Sequence, residues 1–206
     1  MRKLIDAIEG IWMATAITGG EGADAVKAAL KKVHWRTRLV APEPRSQPVV
    51  DVQLDAACAR SGQYGSNPHM IAKAVLAVKD ELRWHTAYED REDEPDMAAL
   101  ARNFSYTTLI GPDAPLHSDT VAAGLSLQGR DTYYPPHAHQ AAENYWIVGG
   151  DGDWKIGIDP WFPVEPGQAI FHETGVRHAM QTNSEPLLAI WLWTSHLDSD
   201  IVIVRG

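Results

Sequence analysis

The sequence predicts a mainly β protein in which an antiparallel barrel or jelly roll follows a helical N-terminal region. In the first hundred residues, apolar side chains recur at helical spacing. In the second hundred, short strand-like runs are separated by Gly, Pro, Asp or Asn. An acidic run, residues 89–96, lies near the change of pattern and is predicted to be a solvated connection. We therefore expect a helical region over residues 1–100 and a barrel over residues 101–206.

Three helices are expected in the first region. Residues 2–17 carry apolar residues on one helical face and end before Gly19. Residues 22–40 form the second expected helix, and residues 66–84 form the third, with a proline in the first turn. Three prolines within residues 42–48 predict an extended loop between the second and third helices.

Eight strand-like runs are expected to build the barrel. They cover residues 103–110, 120–128, 143–150, 153–158, 167–173, 177–182, 186–196 and 200–205. Eight short strands within about a hundred residues are typical of an antiparallel barrel or jelly roll.

Charge and cysteine content narrow the class of protein. The net charge of −9 repels phosphate backbones and anionic lipids, so neither nucleic acid nor a membrane is expected as a partner. The single cysteine, Cys58, allows no internal disulfide and suits a reducing compartment. No run reaches the ~18 apolar residues of a membrane span, and Asp6 and Glu9 interrupt any signal-peptide core. We expect a soluble, cytoplasmic protein.

Residues 133–146 concentrate chemically active side chains: two histidines, one glutamate and three tyrosines. If residues 137–145 form one strand, the side chains of His137, His139, Glu143 and Tyr145 point to the same face, into the barrel. Two imidazoles and a carboxylate suit a borderline divalent metal ion. We predict one such ion per chain, with zinc and iron ranked ahead of manganese, cobalt and nickel.

One strand cannot surround an ion, so a further ligand must come from elsewhere in the barrel. His178 is the first candidate, because it follows a Gly turn and begins a strand-like run. His172, six residues earlier, is the second candidate.

The spacing H-x-H-x3-E-x6-G of His137, His139, Glu143 and Gly150 resembles the first cupin motif. Residues 166–178, PGQAIFHETGVRH, resemble the second cupin motif. This resemblance implies a cupin double-stranded β-helix (a jelly-roll barrel) over roughly residues 103–206.

Three aromatic residues extend the resemblance. Tyr145 lies two residues after the glutamate, Tyr134 three residues before the first histidine, and Trp193 fifteen residues after His178. The set is similar to the cupin-type dimethylsulfoniopropionate (DMSP) lyases of the Q type. The resemblance also implies that the helical region packs on the barrel.

The resemblance implies a carbon–sulfur lyase that cleaves DMSP to dimethyl sulfide and acrylate by β-elimination. Tyr145 would be the general base, and Tyr134 a substrate-positioning group or auxiliary acid/base. Trp193 would bind the sulfonium through its aromatic face. Tyr133 is a further substrate-binding candidate, although adjacent Tyr133 and Tyr134 face opposite ways in an extended chain.

Two other classes of function stay open at this stage. One is a different metal-dependent cupin enzyme, such as a dioxygenase or an isomerase. The other is a non-catalytic cupin that binds a small molecule. Edge strands and abundant tryptophan also leave a homodimer as an alternative to a monomer.

Overall fold

The computed structural model describes residues 1–91, 93–95 and 97–205. Five α-helices lie within these residues, together with three short 3-10 turns. The helices are α1 (Arg2–Thr18), α2 (Ala23–Leu30), α3 (Pro48–Ala59), α4 (Ser66–Leu76) and α5 (Ala98–Asn103). None of the described helices is both long enough and apolar enough to cross a bilayer.

Twelve strands follow or accompany these helices in the described residues, and they form two sheets. The strands are β1 (His85–Thr86), β2 (Phe104–Gly111), β3 (Leu116–His117), β4 (Ala122–Gln128), β5 (Tyr133–Ala138), β6 (Glu143–Gly149), β7 (Gly152–Ile156), β8 (Phe162–Val164), β9 (Ala169–His172), β10 (His178–Gln181), β11 (Leu187–Trp193) and β12 (Val202–Ile203). The larger sheet has the order β1-β2-β4-β11-β6-β9, with β3 beside β2. The smaller sheet has the order β12-β5-β10-β7-β8. Apart from the β2–β3 pair, the named strand pairs are antiparallel, and the predicted mainly β fold with an N-terminal helical region is confirmed.

Side chains that alternate between the two faces of the central strands belong to two separate apolar cores. On β6, Trp146 and Val148 join the core that also contains buried residues of α1 to α4. Their neighbours Tyr145 and Ile147 belong to the second core, which includes residues from both sheets. Because successive strand residues point to opposite faces, the larger sheet is covered by helices outside and faces the barrel interior inside.

The helical region differs from the prediction in three places. The second expected helix, over residues 22–40, ends at Leu30. The third expected helix, over residues 66–84, ends at Leu76, and the chain then passes through a 3-10 turn into β1. Helix α3 was not predicted, because Pro48 was assigned to the loop before it. Pro48 instead occupies the first turn of α3, where its missing N–H costs nothing.

The connection between the two regions is also more ordered than a solvated acidic run would be. Within residues 89–96, the described part contains a 3-10 turn at Glu89–Arg91, while residues 92 and 96 lie outside the described residues. The Arg91 guanidinium makes two hydrogen bonds of 2.8 Å to the Glu94 carboxylate. The exact boundary between the helical and barrel regions stays a prediction.

Candidate active site

Residues 137–145 do not form the single strand that was expected. β5 ends at Ala138 in the smaller sheet, and β6 begins at Glu143 in the larger one. Between them, the backbone N–H groups of Gln140 and Ala142 are bound by serine hydroxyls from the C-terminal segment and not by a strand ladder. The chain therefore crosses from one sheet to the other, and the candidate ligands approach from opposite walls of the barrel.

Three buried side chains converge at this crossing: His139, Glu143 and His178. Their ligand atoms all lie within 4.8 Å of one another. The Glu143 Oε2 atom lies 3.1 Å from His139 Nε2 and 3.6 Å from His178 Nε2. Two imidazole nitrogens thus converge on one carboxylate oxygen in a buried site.

Backbone contacts fix which nitrogen of each imidazole carries the proton. Nδ1 of His139 lies 3.0 Å from the Ala141 carbonyl, and Nδ1 of His178 lies 3.1 Å from the Val176 carbonyl. Since a carbonyl only accepts, both Nδ1 atoms must donate, and a ring that carries a single proton then presents its Nε2 lone pair to Glu143. Burial, reinforced by neighbouring imidazoles, lowers the pKa of His178 well below its ordinary value, so this ring is neutral.

This arrangement of donors fits a divalent metal ion. Two lone pairs and a carboxylate oxygen repel one another unless a cation lies between them. His178 Nε2 has no hydrogen-bond partner among the described residues. Buried polar atoms rarely lack partners, so the side chains of His139, Glu143 and His178 could together hold a metal.

His172, the second candidate for the ligand from another strand, contacts Glu143 in a different way. The indole N–H of Trp154 donates to His172 Nε2 across 2.9 Å, which leaves the proton on Nδ1. That Nδ1–H lies 3.2 Å from Glu143 Oε2 and donates to it. His172 therefore orients the carboxylate as a hydrogen-bond donor.

His137, the remaining predicted ligand, lies beside the group of three and is not part of it. Its Nδ1 donates to the Pro135 carbonyl at 2.9 Å, and its ring stacks on Tyr134 at 3.9 Å. The centroid of its ring lies 4.1 Å from that of His178. Burial lowers the pKa of His137 to about 3, so the ring is neutral. Its role as a ligand stays a prediction.

Tyr145 lies on β6 two residues from Glu143, as the spacing predicts, and is buried. Its ring packs edge-on against Trp154, with 5.0 Å between centroids. Burial raises the pKa of the Tyr145 phenol well above its usual value, and the charge and hydrogen bond of Glu143 raise it further. The protein's own groups therefore keep this phenol protonated.

A cavity of about 920 Å³ opens onto these residues. Its wall includes the predicted residues His137, His139, Glu143, Tyr134, Tyr145 and Trp193. Trp191 lines it as well, beside Trp193 on the same face of β11.

Among the described residues, two predicted site residues, His178 and Tyr133, do not line this cavity. Both border a separate hollow of about 160 Å³, together with Trp161. Tyr133 is 48% exposed. The side chains of Tyr133 and Tyr134 leave β5 on opposite faces, and only Tyr134 points into the barrel. The predicted contact of Tyr133 with the substrate of this cavity is therefore not supported by its position.

Sequence reasoning missed Tyr88, whose hydroxyl lies 2.5 Å from that of Tyr134. Tyr88 also lines the cavity but precedes the barrel by some fifteen residues. No spacing relative to the histidines identifies it, because its approach depends on how the connection folds back over the barrel.

Comparison with known proteins identifies the family. The sequence profile of the dimethylsulfoniopropionate lyase family matches residues 22–189. This chain belongs to the DMSP lyase family. The predicted family and the predicted enzyme class, a carbon–sulfur lyase, are confirmed.

Individual members of the DMSP lyase family support the assignment. The chain is 29% identical to the DMSP lyase DddQ of Ruegeria pomeroyi over 164 residues, which are 76% of this chain and 78% of that protein. It is 28% identical to the putative DMSP lyase DddL of Cereibacter sphaeroides over 125 residues, or 60% of this chain and 50% of the relative.

Crystal structures of DMSP lyases share the fold. DddQ from Ruegeria pomeroyi DSS-3 superposes with a TM-score of 0.65 and 25% identity, over 81% of each chain. One of the crystal structures of the DMSP lyases RdDddP and RnDddQII superposes with a TM-score of 0.74 and 23% identity, over 98% of this chain and 96% of that one. The second match includes the N-terminal helices, so the helical region and the barrel both belong to a known architecture. These structures confirm the predicted mainly β fold with an N-terminal helical region.

Proposed function

We propose that this DMSP lyase cleaves DMSP by metal-assisted β-elimination, with Tyr145 as the general base. The observation that carries the proposal is the convergence of two imidazole Nε2 atoms on Glu143 Oε2, beside a buried phenol. The proposed metal ligands are His139, Glu143 and His178. A site with two imidazoles and one carboxylate accepts zinc, iron, manganese, cobalt or nickel. Zinc and iron are proposed ahead of the other three.

The reaction removes a proton from the carbon beside the substrate carboxylate and breaks the bond from the next carbon to sulfur. The C–H electron pair forms the double bond of acrylate, and the C–S pair leaves with dimethyl sulfide. The proton goes to the Tyr145 phenolate oxygen and then to solvent. The carbon acid is weak, since the neighbouring carboxylate is already negative, so catalysis must stabilise the charge that develops there.

A bound divalent ion supplies Lewis-acid charge that stabilises the developing enolate-like anion and favours the phenolate form of Tyr145. The protein's contribution is positional. Tyr145 lies on the strand that supplies Glu143, so the strand fixes the position of the base relative to the proposed ligand. Because burial raises the pKa of Tyr145, the phenol becomes a base only beside positive charge.

The sulfonium end of DMSP is proposed to bind against Trp193 and Trp191. Their rings lie 6.2 Å apart at the cavity wall. An aromatic face attracts a cation by about 0.5–2 kcal/mol without adding a counter-ion that would compete with the substrate carboxylate.

The test is to load the protein with each metal in turn, add DMSP and measure dimethyl sulfide in the headspace. Tyr145→Phe is expected to abolish release while elemental analysis shows native metal content. Tyr64→Phe is the matched control, because it removes a phenol hydroxyl on a surface 3-10 turn and should leave release unchanged. Native release by Tyr145→Phe would reject Tyr145 as the base, and absence of release with every metal would reject the proposed substrate.

Three further expectations accompany this proposal. The metal-loaded protein is predicted to act in the cytoplasm on a free small molecule. A homodimer stays an alternative to the monomer, and sedimentation of the metal-loaded protein would distinguish the two.

His137→Ala, compared with His178→Ala, would decide whether His137 also ligates the metal: loss of metal in both variants would add it to the ligand set.

A further inference from the structure

Tyr88 reaches the cavity from outside the barrel, on the segment that connects β1 to the first barrel strand. Its hydroxyl lies 2.5 Å from the hydroxyl of Tyr134, and the two rings meet edge-on with centroids 5.8 Å apart. Tyr134 in turn stacks on His137. The phenol of Tyr88 is therefore linked through Tyr134 to the histidine cluster.

A count of protons shows which hydroxyl is available to a ligand. The two phenols carry one proton each, and among the described residues neither makes a further side-chain hydrogen bond. One proton forms the hydrogen bond between the two oxygens, and the other has no acceptor in this pair. Tyr134 is only 2% exposed, so a leftover proton on it would be buried without a partner, at a cost of one lost hydrogen bond. Tyr134 consequently donates to Tyr88, and the O–H of Tyr88 faces the cavity.

Both phenols are neutral donors over the ordinary pH range. Burial raises the pKa of Tyr88 to about 12 and that of Tyr134 well above its usual value. A neutral O–H that faces a cavity binds an anionic acceptor more strongly than a neutral one, because charge-assisted hydrogen bonds are about twice as strong.

The backbone at Tyr88 is held in an unfavourable conformation. Its φ of 67° lies in the left-handed region, which is unfavourable for a residue with a side chain. The Arg91 N–H donates to the Tyr88 carbonyl at 2.9 Å and stabilises this turn. Strained residues that the surrounding structure maintains tend to lie at functional sites.

Arg91 lies beside this turn. Its guanidinium binds the Glu94 carboxylate, and its charge also interacts electrostatically with the Tyr88 phenol.

We infer that Tyr88 is a substrate-binding residue whose O–H, oriented by Tyr134, donates a hydrogen bond to the substrate carboxylate. This inference rests on the proposed function for the identity of the substrate, but its chemistry requires only a small carboxylate in the cavity. Tyr88 and the aromatic residues of β11 then bind opposite ends of the zwitterion and set its orientation relative to Tyr145.

The test uses two probes that separate the ends of the substrate: acrylate, which carries only the carboxylate, and trimethylsulfonium, which carries only the cation. Their affinities for the metal-loaded protein are measured by calorimetry. Tyr88→Phe is expected to lower the affinity for acrylate roughly tenfold, because one hydrogen bond to a charged group is removed. The affinity for trimethylsulfonium is expected to stay unchanged. The KM for DMSP is expected to rise by a similar factor with little change in kcat.

Tyr134→Phe is the second variant, because it removes the partner that orients Tyr88 and should also weaken acrylate. Tyr64→Phe should bind both probes as the native protein does. Native acrylate affinity in Tyr88→Phe overturns the inference, as does equal weakening of both probes, which would indicate a general disturbance of the cavity. If DMSP is not cleaved but acrylate binds in a Tyr88-dependent way, the carboxylate site stands and the proposed reaction fails.

Discussion

Nε1 of Trp193 lies 2.7 Å from Oε1 of Glu143 and donates a hydrogen bond to it. The tryptophan expected to contact the sulfonium thus also orients a proposed metal ligand. The other oxygen of Glu143 accepts a hydrogen bond from His172. Each carboxylate oxygen therefore has a donor from the larger sheet, and the substrate wall and the metal site are coupled through this one side chain.

Substitution of Trp193 by phenylalanine should separate these two roles. Trp193→Phe keeps an aromatic face but loses the N–H, so Glu143 loses one of its orienting donors. We expect metal affinity to fall by about ten- to a hundredfold, the usual effect of removing a hydrogen bond to a metal ligand. Competition with a chelator of known affinity measures it. Trp191→Phe is the control, because its N–H donates to the Leu125 backbone carbonyl and not to a ligand. Equal metal affinity in both variants would contradict the coupling.

His178 and His172 should differ in the effect of their removal. His178→Ala removes a proposed ligand, so the dialysed protein should retain almost no metal. His172→Ala removes a donor to Glu143, so the metal should bind about ten- to a hundredfold more weakly but still with the same stoichiometry. Metal content after dialysis and at saturating metal distinguishes the two results. Full metal retention by His178→Ala, with loss in His172→Ala, would exchange their assigned roles.

Ligand chemistry made part of this site predictable from the sequence. Histidine and glutamate at cupin spacing predict His139, Glu143 and His178 as candidate ligands, and the structure brings their side chains together. Alternation also places Tyr145 on the face of Glu143, because both lie on β6. Local rules succeed where the residues concerned share one strand.

The same rules failed where the geometry depends on distant contacts. The alternation of side chains along a strand cannot relate the direction of His137 to that of Glu143, because the chain leaves one sheet and enters the other between them. The role of His172 depends on the hydrogen bond that Trp154 donates to it. The role of Tyr88 depends on its positive φ and on its contact with Tyr134, which is distant in the sequence. Neither the tautomer nor the approach leaves a pattern in the sequence.

Gly150, the last residue of the first cupin motif, should tolerate no side chain. Its φ is 88°, and a Cβ would lie 1.7 Å from the Pro186 carbonyl oxygen. Gly150→Ala is expected to lower the free energy of unfolding by roughly 3 kcal/mol or more, the sum of a left-handed backbone and a backbone clash. Gly157→Ala is the control, since it has φ 58° but nothing within 4 Å of the added Cβ, and should cost only about 1–2 kcal/mol. Urea unfolding measures both, and equal costs would show that the Pro186 contact is relieved by a small shift.

The buried thiol of Cys58 should make stability depend on pH in the alkaline range. Burial, with the Asp55 charge adding to it, raises the pKa of this thiol from 9.0 to about 12. The folded protein therefore holds the proton more tightly than the unfolded chain, and the stabilisation is complete below pH 9. As the pH rises from 9 towards 12, the unfolded chain loses the proton first, and the free energy of unfolding should fall by about 1.4 kcal/mol per pH unit.

Cys58→Ala removes this titration and is the reference for the alkaline dependence. Urea unfolding of both proteins between about pH 8 and about pH 11 gives the difference in slope, which cancels the contribution of tyrosines and lysines common to both. The native protein should lose stability faster than the variant only above pH 9. Parallel profiles would mean that the thiol ionises as easily inside α3 as in the unfolded chain, which its 4% exposure and its place in the core between α3 and the larger sheet argue against.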